Sequence, residues 1–405
     1  MAFFFSGHRL DPDRRELTRG AETVAVQPQV FDLLLYLIRH RGRVVSKDDL
    51  IAHVWNGRIV SDSTLTSRIN AARTAVGDDG DRQALIRTVA RKGIRFVGEV
   101  EERDDDGGAS PSSAPTAVPP APARGAAAPR QDIRYCRAPD GVRLAYAISG
   151  EGPPLVKTAN WMNHLAYDWE SPVWAHMLHG LSRGRTLVRY DARGNGLSDW
   201  EVPEVSLETW VSDLETVVDT VGLERFPLLG ISQGCGISIA YATRHPERVS
   251  HLILYGGGLK GAHNRSPQDS ERRKALVTLA RLEWGLDTPA FRQMFTLRFL
   301  PEGTREQIDF FNELQRRTTS PECAARYLEA SANIDVSHLA SKVKAPTLVL
   351  HARDEIVWPI GWAQEMAAAI PDARFVALNS RNHLLLEHEP AAAQFLEEVR
   401  LFLGA

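Results

Sequence analysis

The chain has 405 residues, too many for one ordinary core, and its 43% apolar and 24% charged residues are those of a globular protein in water. The net charge of −3 hides an asymmetry: residues 1–100 hold 16 Lys and Arg against 12 Asp and Glu, residues 101–130 hold 3 against 5, and the rest 29 against 34. A mildly basic head on an acidic body predicts that only the head meets a polyanion. Cys136, Cys235 and Cys323 are scattered and form no CxxC pair, which argues against a disulfide framework or a structural zinc. No cofactor or metal is expected. The opening MAFFFSGHRL lacks a basic region and makes a poor signal peptide. No run approaches the ~18 apolar residues of a membrane span, so a cytoplasmic protein without a membrane partner is expected.

In chain order, the first 27 residues alternate in short runs between turn signals, which predicts a small antiparallel sheet. QVFDLLLYLIRHRG then sets Phe31, Leu34, Leu35 and Ile38 on one helical face and stops at Gly42. SKDDLIAHVW opens with Ser46 and Asp49 at capping-box spacing. A third helix over 61–76 has Leu65, Ile69, Ala72 and Val76 on its core side. Ser63, Ser67, Asn70 and Thr74 lie opposite, flanked by Thr66 and Arg73. Two short strands then surround a basic turn, Arg91-Lys92-Gly93, with Arg95 beyond it. Short polar side chains on a helix can reach base edges in a major groove, and the basic turn can meet phosphates or a minor groove.

Through GRVVSKDDLIAHVW, VSDSTLTSRINAARTAVGDD and IRTVARKGIRFVGEV, residues 1–100 resemble the OmpR-type winged-helix domain in its ToxR/CadC-like setting. The resemblance implies double-stranded DNA as partner. Ile94 stands where that family's ending usually has an aromatic, and no receiver domain accompanies the helix-turn-helix, so no phosphorylation switch is expected.

Residues 101–130, rich in Ala, Pro, Gly and Ser, have almost nothing to bury and read as a disordered tether. From 131 to 405, β-branched runs alternate with amphipathic stretches, predicting a mostly parallel sheet covered by helices on both faces. Residues 259–339 interrupt this pattern and read as a helical lid.

Within that body, Gly230-Ile231-Ser232-Gln233-Gly234 follows a strand and precedes a helix, the context of a nucleophile elbow. A serine needs a base, and the base an orienting acid. Asp354 follows the strand TLVLHARD, and His383 lies in NSRNHLLLEHEP after the next strand. Glu355, next to Asp354, is set aside because its side chain is expected to point elsewhere from the strand end. His164, Trp169 and Trp174 could line a pocket but read as packing, and Cys235 as structural.

The order Ser, Asp, His, with YDARGNGLSD and HPERVSHLILYGG, resembles the α/β-hydrolase fold family over 131–405, and more closely the hydrolase-like domains fused to bacterial regulators and adenylate cyclases. The resemblance implies Ser232 as nucleophile, Asp354 as orienting acid, His383 as base, and an oxyanion hole from the backbone N–H groups of Gln233 and Trp161. Ala159-Asn160 replaces the His-Gly usual before such a hole, a change expected to slow chemistry.

Three functions follow. One is a one-component transcription regulator whose body binds a small molecule, acting as a homodimer. Another is primarily a serine hydrolase of small esters or lactones with an appended DNA-binding domain. The third joins them, with Ser232 slowly hydrolysing the bound signal and resetting the switch.

Overall fold

The computed structural model describes residues 2–12, 15–20, 22–24, 26–54, 62–78, 82–89, 92–103, 130–286 and 289–404, and the chain divides into two compact units. In the first, strands β1 (Ala2–Phe5), β2 (His8–Asp11), β3 (Glu16–Arg19) and β4 (Glu22–Val24) form an antiparallel meander. Helices α1 (Pro28–Arg39), α2 (Lys47–Val54) and α3 (Asp62–Ala75) follow, then the hairpin β5 (Ile86–Val89) and β6 (Gly93–Phe96). Pro28 starts α1, where a missing N–H leaves no bond unmade. Ser46 and Asp49 cap α2 reciprocally: the Asp49 amide donates to Ser46 Oγ and the Ser46 amide to Asp49 Oδ2, each at 3.1 Å. The core joins Phe3, Leu10 and Leu17 of the sheet to Phe31, Leu34 and Ile38 of α1 and to Leu65, Ile69 and Ala72 of α3.

Two sequence expectations change here. A further strand, β7 (Glu101–Arg103), pairs antiparallel with β1, so the head runs past residue 100, and the expected tether from 104 to 129 lies outside the described residues. Arg73, expected on the outer face of α3, is instead buried. Its Nε donates to Ile86 O at 3.1 Å and its Nη2 to Thr88 Oγ1 at 2.8 Å. It ties α3 to the hairpin rather than reaching outward. Four residues from the core position 69 and three from the core position 76, Arg73 lies at the seam between faces, where a long side chain can turn inward. Thr66, Ser67, Asn70 and Thr74 are exposed on α3, and Lys92 and Arg95 on the hairpin, where Arg95 Nε donates to Arg41 O. The Ser63 side chain and Arg91 lie outside what is described.

The second unit is built on eight strands: β8 (Gln131–Arg137), β9 (Arg143–Ser149), β10 (Pro154–Lys157), β11 (Thr186–Tyr190), β12 (Phe226–Ile231), β13 (Val249–Tyr255), β14 (Thr347–Ala352) and β15 (Arg374–Leu378). Their order is β15-β14-β13-β12-β10-β11-β9-β8, with β9 antiparallel to both of its neighbours, β8 and β11, and the six strands β10 to β15 mutually parallel. The helices are α4 (Leu165–Trp169), α5 (Ala175–Ser182), α6 (Leu207–Val221), α7 (Gly234–Arg244), α8 (Pro267–Glu283), α9 (Pro289–Phe299), α10 (Arg305–Thr318), α11 (Pro321–Ala332), α12 (Ser337–Ala340), α13 (Ile360–Ala369) and α14 (Pro390–Phe402). None of the described helices is long and apolar enough to cross a membrane.

Strand residues alternate between two apolar layers. Leu228, Leu254 and Val349 face the layer of Trp210, Leu214 and Ile237, while Leu229, Ile253 and Leu350 face that of Met177, Leu178 and Phe395. Burial on both faces is what the near-continuous apolar runs of these strands require. After β11 the chain crosses back over β10 to lay down β12. The carboxyl ends of β10 and β12 therefore flank the point where strand order reverses, the place where open parallel sheets form ligand crevices.

The loop YDARGNGLSD, which begins at the end of β11, is held by a dense set of buried polar contacts. Asp191 accepts from the amides of Leu165 and Leu197 at 2.9 and 2.8 Å. Arg193 pairs with Asp213 at 2.6 Å, both side chains only 1% exposed, and with Asp140 at 2.6 Å. A Cβ at Gly194 would meet Cys323 Sγ at 2.3 Å, so only glycine lets α11 close on this loop. Replacing Arg193 by Ala strands a buried carboxylate and is expected to cost about 3–5 kcal/mol. Denaturation followed by tryptophan fluorescence reads this loss; the double change Arg193→Met, Asp213→Leu, which removes both charges, is expected to lose much less.

Candidate active site

Ser232 stands one residue beyond β12 with φ +56, a left-handed conformation that a residue with a Cβ adopts only at a cost. Its neighbours make the turn possible. A Cβ on Gly230 would lie 2.6 Å from Ser238 Oγ and 2.7 Å from Gly234 O, and one on Gly234 would lie 3.3 Å from Ala159 O. The Ser232 amide donates to Tyr255 O at 2.8 Å, fixing the turn against β13. The side chain is thus lifted off the sheet edge and stays half-buried, while α7 begins immediately after it.

His383 is buried and held on several sides. Its amide donates to Phe299 O at 2.9 Å, its carbonyl accepts from Tyr255 Oη at 2.8 Å, and its ring meets Phe299 edge-on at 5.5 Å. Nδ1 lies 3.1 Å from Glu355 Oε1, and Nε2 has no protein partner. A carboxylate at Nδ1 fixes the tautomer that leaves Nε2 free to take a proton, and it stabilises the imidazolium that results.

The carboxylate in this position belongs to Glu355 and not to Asp354, which corrects the sequence expectation. Asp354 is exposed, with its amide donating to Ser380 O at 3.1 Å. Glu355 is buried. Its Oε2 accepts from the amides of Val357 and Trp358 at 2.8 and 3.0 Å, and its Oε1 lies 3.3 Å from His351 Nε2 as well as beside His383. The reason is local: the loop after β14 folds back on the Glu355 carboxylate, so its two following amides draw that side chain inward while Asp354 turns to solvent. The adjacent Asp-Glu pair in the sequence signalled both candidates, and strand direction alone could not choose between them.

Trp161, four residues past the end of β10, donates its backbone N–H to Gln233 Oε1 at 3.1 Å. One of the two amides expected to hold an oxyanion is therefore engaged by the side chain of the residue that supplies the other. Sequence reasoning had assigned Gln233 only its amide and missed its carboxamide. Asn160, at the altered position, is buried and its Oδ1 accepts from the ammonium of Lys157. Burial, with Arg189 nearby, draws the Lys157 ammonium well below the usual lysine range.

Ser232 lines a cavity of roughly 720 Å³, counting its open mouth, with Trp161, Phe295 and Trp358 among its walls. A smaller extension brings Ser232 together with His383, Trp161, Trp174 and Phe299. Helices α8, α9 and α11 of the lid thus close over the serine. Of the aromatics considered from sequence, Trp174 reaches this extension, Trp169 packs on His179 and Arg189, and His164 caps α4 by accepting from the Tyr167 amide at 3.2 Å. Burial pushes His164 down to about 4. The Cys235 thiol, fully buried and pushed up to about 12 by burial, is packing. Among the described residues no group of three His, Cys, Asp or Glu side chains could hold a metal ion.

Ser232 and His383 line one crevice, and the Glu355 carboxylate lies behind the imidazole; these are the group types that acyl transfer uses. The family profile for the α/β hydrolase fold matches residues 166–390, and that for the C-terminal domain of transcriptional regulatory proteins matches residues 21–96. The chain belongs to the α/β hydrolase fold family, here joined to an OmpR-type winged-helix domain. Pyrrolizixenacetamide deacetylase of Xenorhabdus hominickii is 24% identical over 261 residues, covering 64% of this chain and 94% of that enzyme. The transcriptional activator CadC of Escherichia coli strain K12 is 32% identical over 114 residues, 27% of this chain and 22% of CadC. The enol-lactonase of Burkholderia xenovorans LB400 superposes with a TM-score of 0.56 at 24% identity, covering 67% of this chain and all (100%) of that one, a likeness of fold.

The two carboxylates are separable by experiment. Glu355→Gln is expected to lower covalent labelling of Ser232 by a fluorophosphonate about 10⁴-fold, as loss of the orienting acid does in other serine hydrolases. Asp354→Asn is expected to label within about twofold of wild type, since its carboxylate contributes only a surface charge.

Proposed function

We propose that this protein is a DNA-binding regulator whose hydrolase-fold domain binds a small acyl compound and hydrolyses it slowly through Ser232, His383 and Glu355. The observation that carries the proposal is one cavity reached by both the elbow serine and the imidazole braced by Glu355, in a chain that also bears a winged helix. Relatives named as a deacetylase and an enol-lactonase support an acyl substrate.

In this reaction Ser232 Oγ attacks the acyl carbonyl as His383 Nε2 takes its proton, and the new C–O bond pushes the carbonyl electron pair onto oxygen. Collapse expels the alcohol or amine, which receives the proton from His383. Water then repeats the sequence on the acyl-serine, releasing acid and restoring the hydroxyl. Negative charge on the carbonyl oxygen requires the Gln233 amide and the Trp161 amide together. The Gln233 carboxamide competes for the second of these, which favours slow turnover and a long-lived complex over rapid catalysis.

The head then reads the outcome. Thr66, Ser67, Asn70 and Thr74 of α3 are exposed for base edges, and Lys92 and Arg95 for phosphates. Dimerisation would double those phosphate contacts on paired half-sites.

Turnover of p-nitrophenyl acetate and butyrate is expected from wild type and lost in Ser232→Ala; equal rates from both proteins would remove the catalytic part. Covalent occupation of Ser232 by a fluorophosphonate is expected to change affinity for genomic fragments selected by the protein by at least about fivefold. Unchanged affinity would leave an enzyme without a sensing role. Lys92→Ala is expected to weaken binding to all sequences alike and to lower the slope of log K against log salt by about one.

A further inference from the structure

Three guanidinium groups line the same cavity as Ser232: Arg265, Arg273 in the second turn of α8, and Arg298 near the end of α9. Several other arginines of this domain that leave bulk solvent are matched to acids, as Arg193 is to Asp213, Arg248 to Asp219 and Arg317 to Glu313, while the buried Arg189 donates to Gln131 Oε1 and Leu165 O. The three cavity arginines have no carboxylate partner within 4.0 Å among the described residues. Nearby acids are engaged elsewhere. Asp269 accepts from Ser266 Oγ at 2.9 Å, Glu329 pairs with His263 Nε2 at 3.4 Å, and Glu355 braces His383.

Arg265 is held in place without its charge being neutralised. Its Nε donates to Lys260 O at 2.8 Å, and its guanidinium lies 3.7 Å from the ring centre of Trp358 and 5.0 Å from that of Trp362. Pinned this way, a planar fork keeps its terminal nitrogens for a ligand at little entropic cost. Arg273 is half-buried and Arg298 exposed. Burial, then the charge of Arg298, brings Arg273 down to about 10, and burial, then Arg273, does the same to Arg265. Both stay charged at neutral pH. Like charges gathered beside Leu276 and Phe295 raise one another's energy, and an anion among them relieves that cost.

We propose that the cavity takes an acyl ligand bearing an oxyanion at the end remote from the scissile carbonyl, with Arg265, Arg273 and Arg298 as its receptor. Carboxylate and phosphate share this chemistry. Placing the carbonyl at Ser232 rests on the hydrolase reading above, but recognition of the anion does not need turnover.

The test therefore uses full-length protein with Ser232→Ala, titrated by calorimetry with monomethyl adipate and monomethyl suberate, with the neutral dimethyl esters, and with hexyl phosphate. The acid half-esters are expected to bind at least about tenfold more tightly than their diesters, the effect of a charge-assisted contact. Arg298→Gln and Arg273→Gln are each expected to reduce that advantage to within about twofold to threefold; Arg298 is exposed, so its variant is expected to fold. Tighter binding of hexyl phosphate than of either half-ester supports the site and assigns it to phosphate. Equal binding of half-esters, diesters and hexyl phosphate, or an advantage unchanged in both variants, overturns the proposal. Turnover of the same esters by protein with Ser232 intact separates the two readings. Hydrolysis without charge preference leaves the catalytic reading and removes the anion site. Charge-selective binding without hydrolysis does the reverse.

Discussion

The left-handed backbone at Ser232 is the constraint around which the second domain is arranged. A residue with a Cβ at φ +56 sits about 1–3 kcal/mol above an ordinary turn. It persists because the strands on either side are fixed in parallel register, because Gly230 and Gly234 leave room for the chain to double back, and because the Ser232 amide is taken by Tyr255 O. Everything else at the site is positioned relative to that turn. The crossing from β11 to β12 opens a crevice at the sheet edge, the loop after β10 brings Trp161 to its rim, and the loop after β15 carries His383 to the far side.

Much of this was legible because the sequence repeats its signals at several levels. Strands β10 to β15 read as apolar runs of the right length, and the elbow pentapeptide has meaning only between such a strand and a helix. The head was legible for the same reason: the Ser46–Asp49 box, the Leu65–Ile69–Ala72 stripe and the basic turn each pointed to one architecture. Reading failed where an outcome depends on which of two neighbouring side chains turns inward. Asp354 and Glu355 differ in sequence by one methylene and one position, and two loop amides decide between them. Arg73 looked like a groove contact until Ile86 O and Thr88 Oγ1 accounted for its nitrogens. Strands β7 and β8 were missed because polar residues dominate both, and pairing, not pattern, makes them strands.

The chemistry of the site is set as much by restraint as by reactive groups. His383 has its Nδ1 assigned and its Nε2 left over, a division of labour between two atoms of one ring. The Trp161 amide is not left over, because Gln233 covers it. In the reaction proposed above, a ligand carbonyl gains a strong pair of donors only by displacing that carboxamide, so binding energy from elsewhere in the cavity must drive the exchange. This arrangement suits the regulatory role proposed above, since a signal held for longer is read for longer.

The pairing of β7 with β1 ties the end of the head back to its beginning. Ala2 lies opposite Arg103, so the last described residues before the long Ala/Pro-rich segment are zipped to the edge of the N-terminal sheet. That edge strand is three residues long and pairs on one side only. It shares none of the Arg73 hydrogen bonds that join α3 to the hairpin, so its loss leaves those bonds in place.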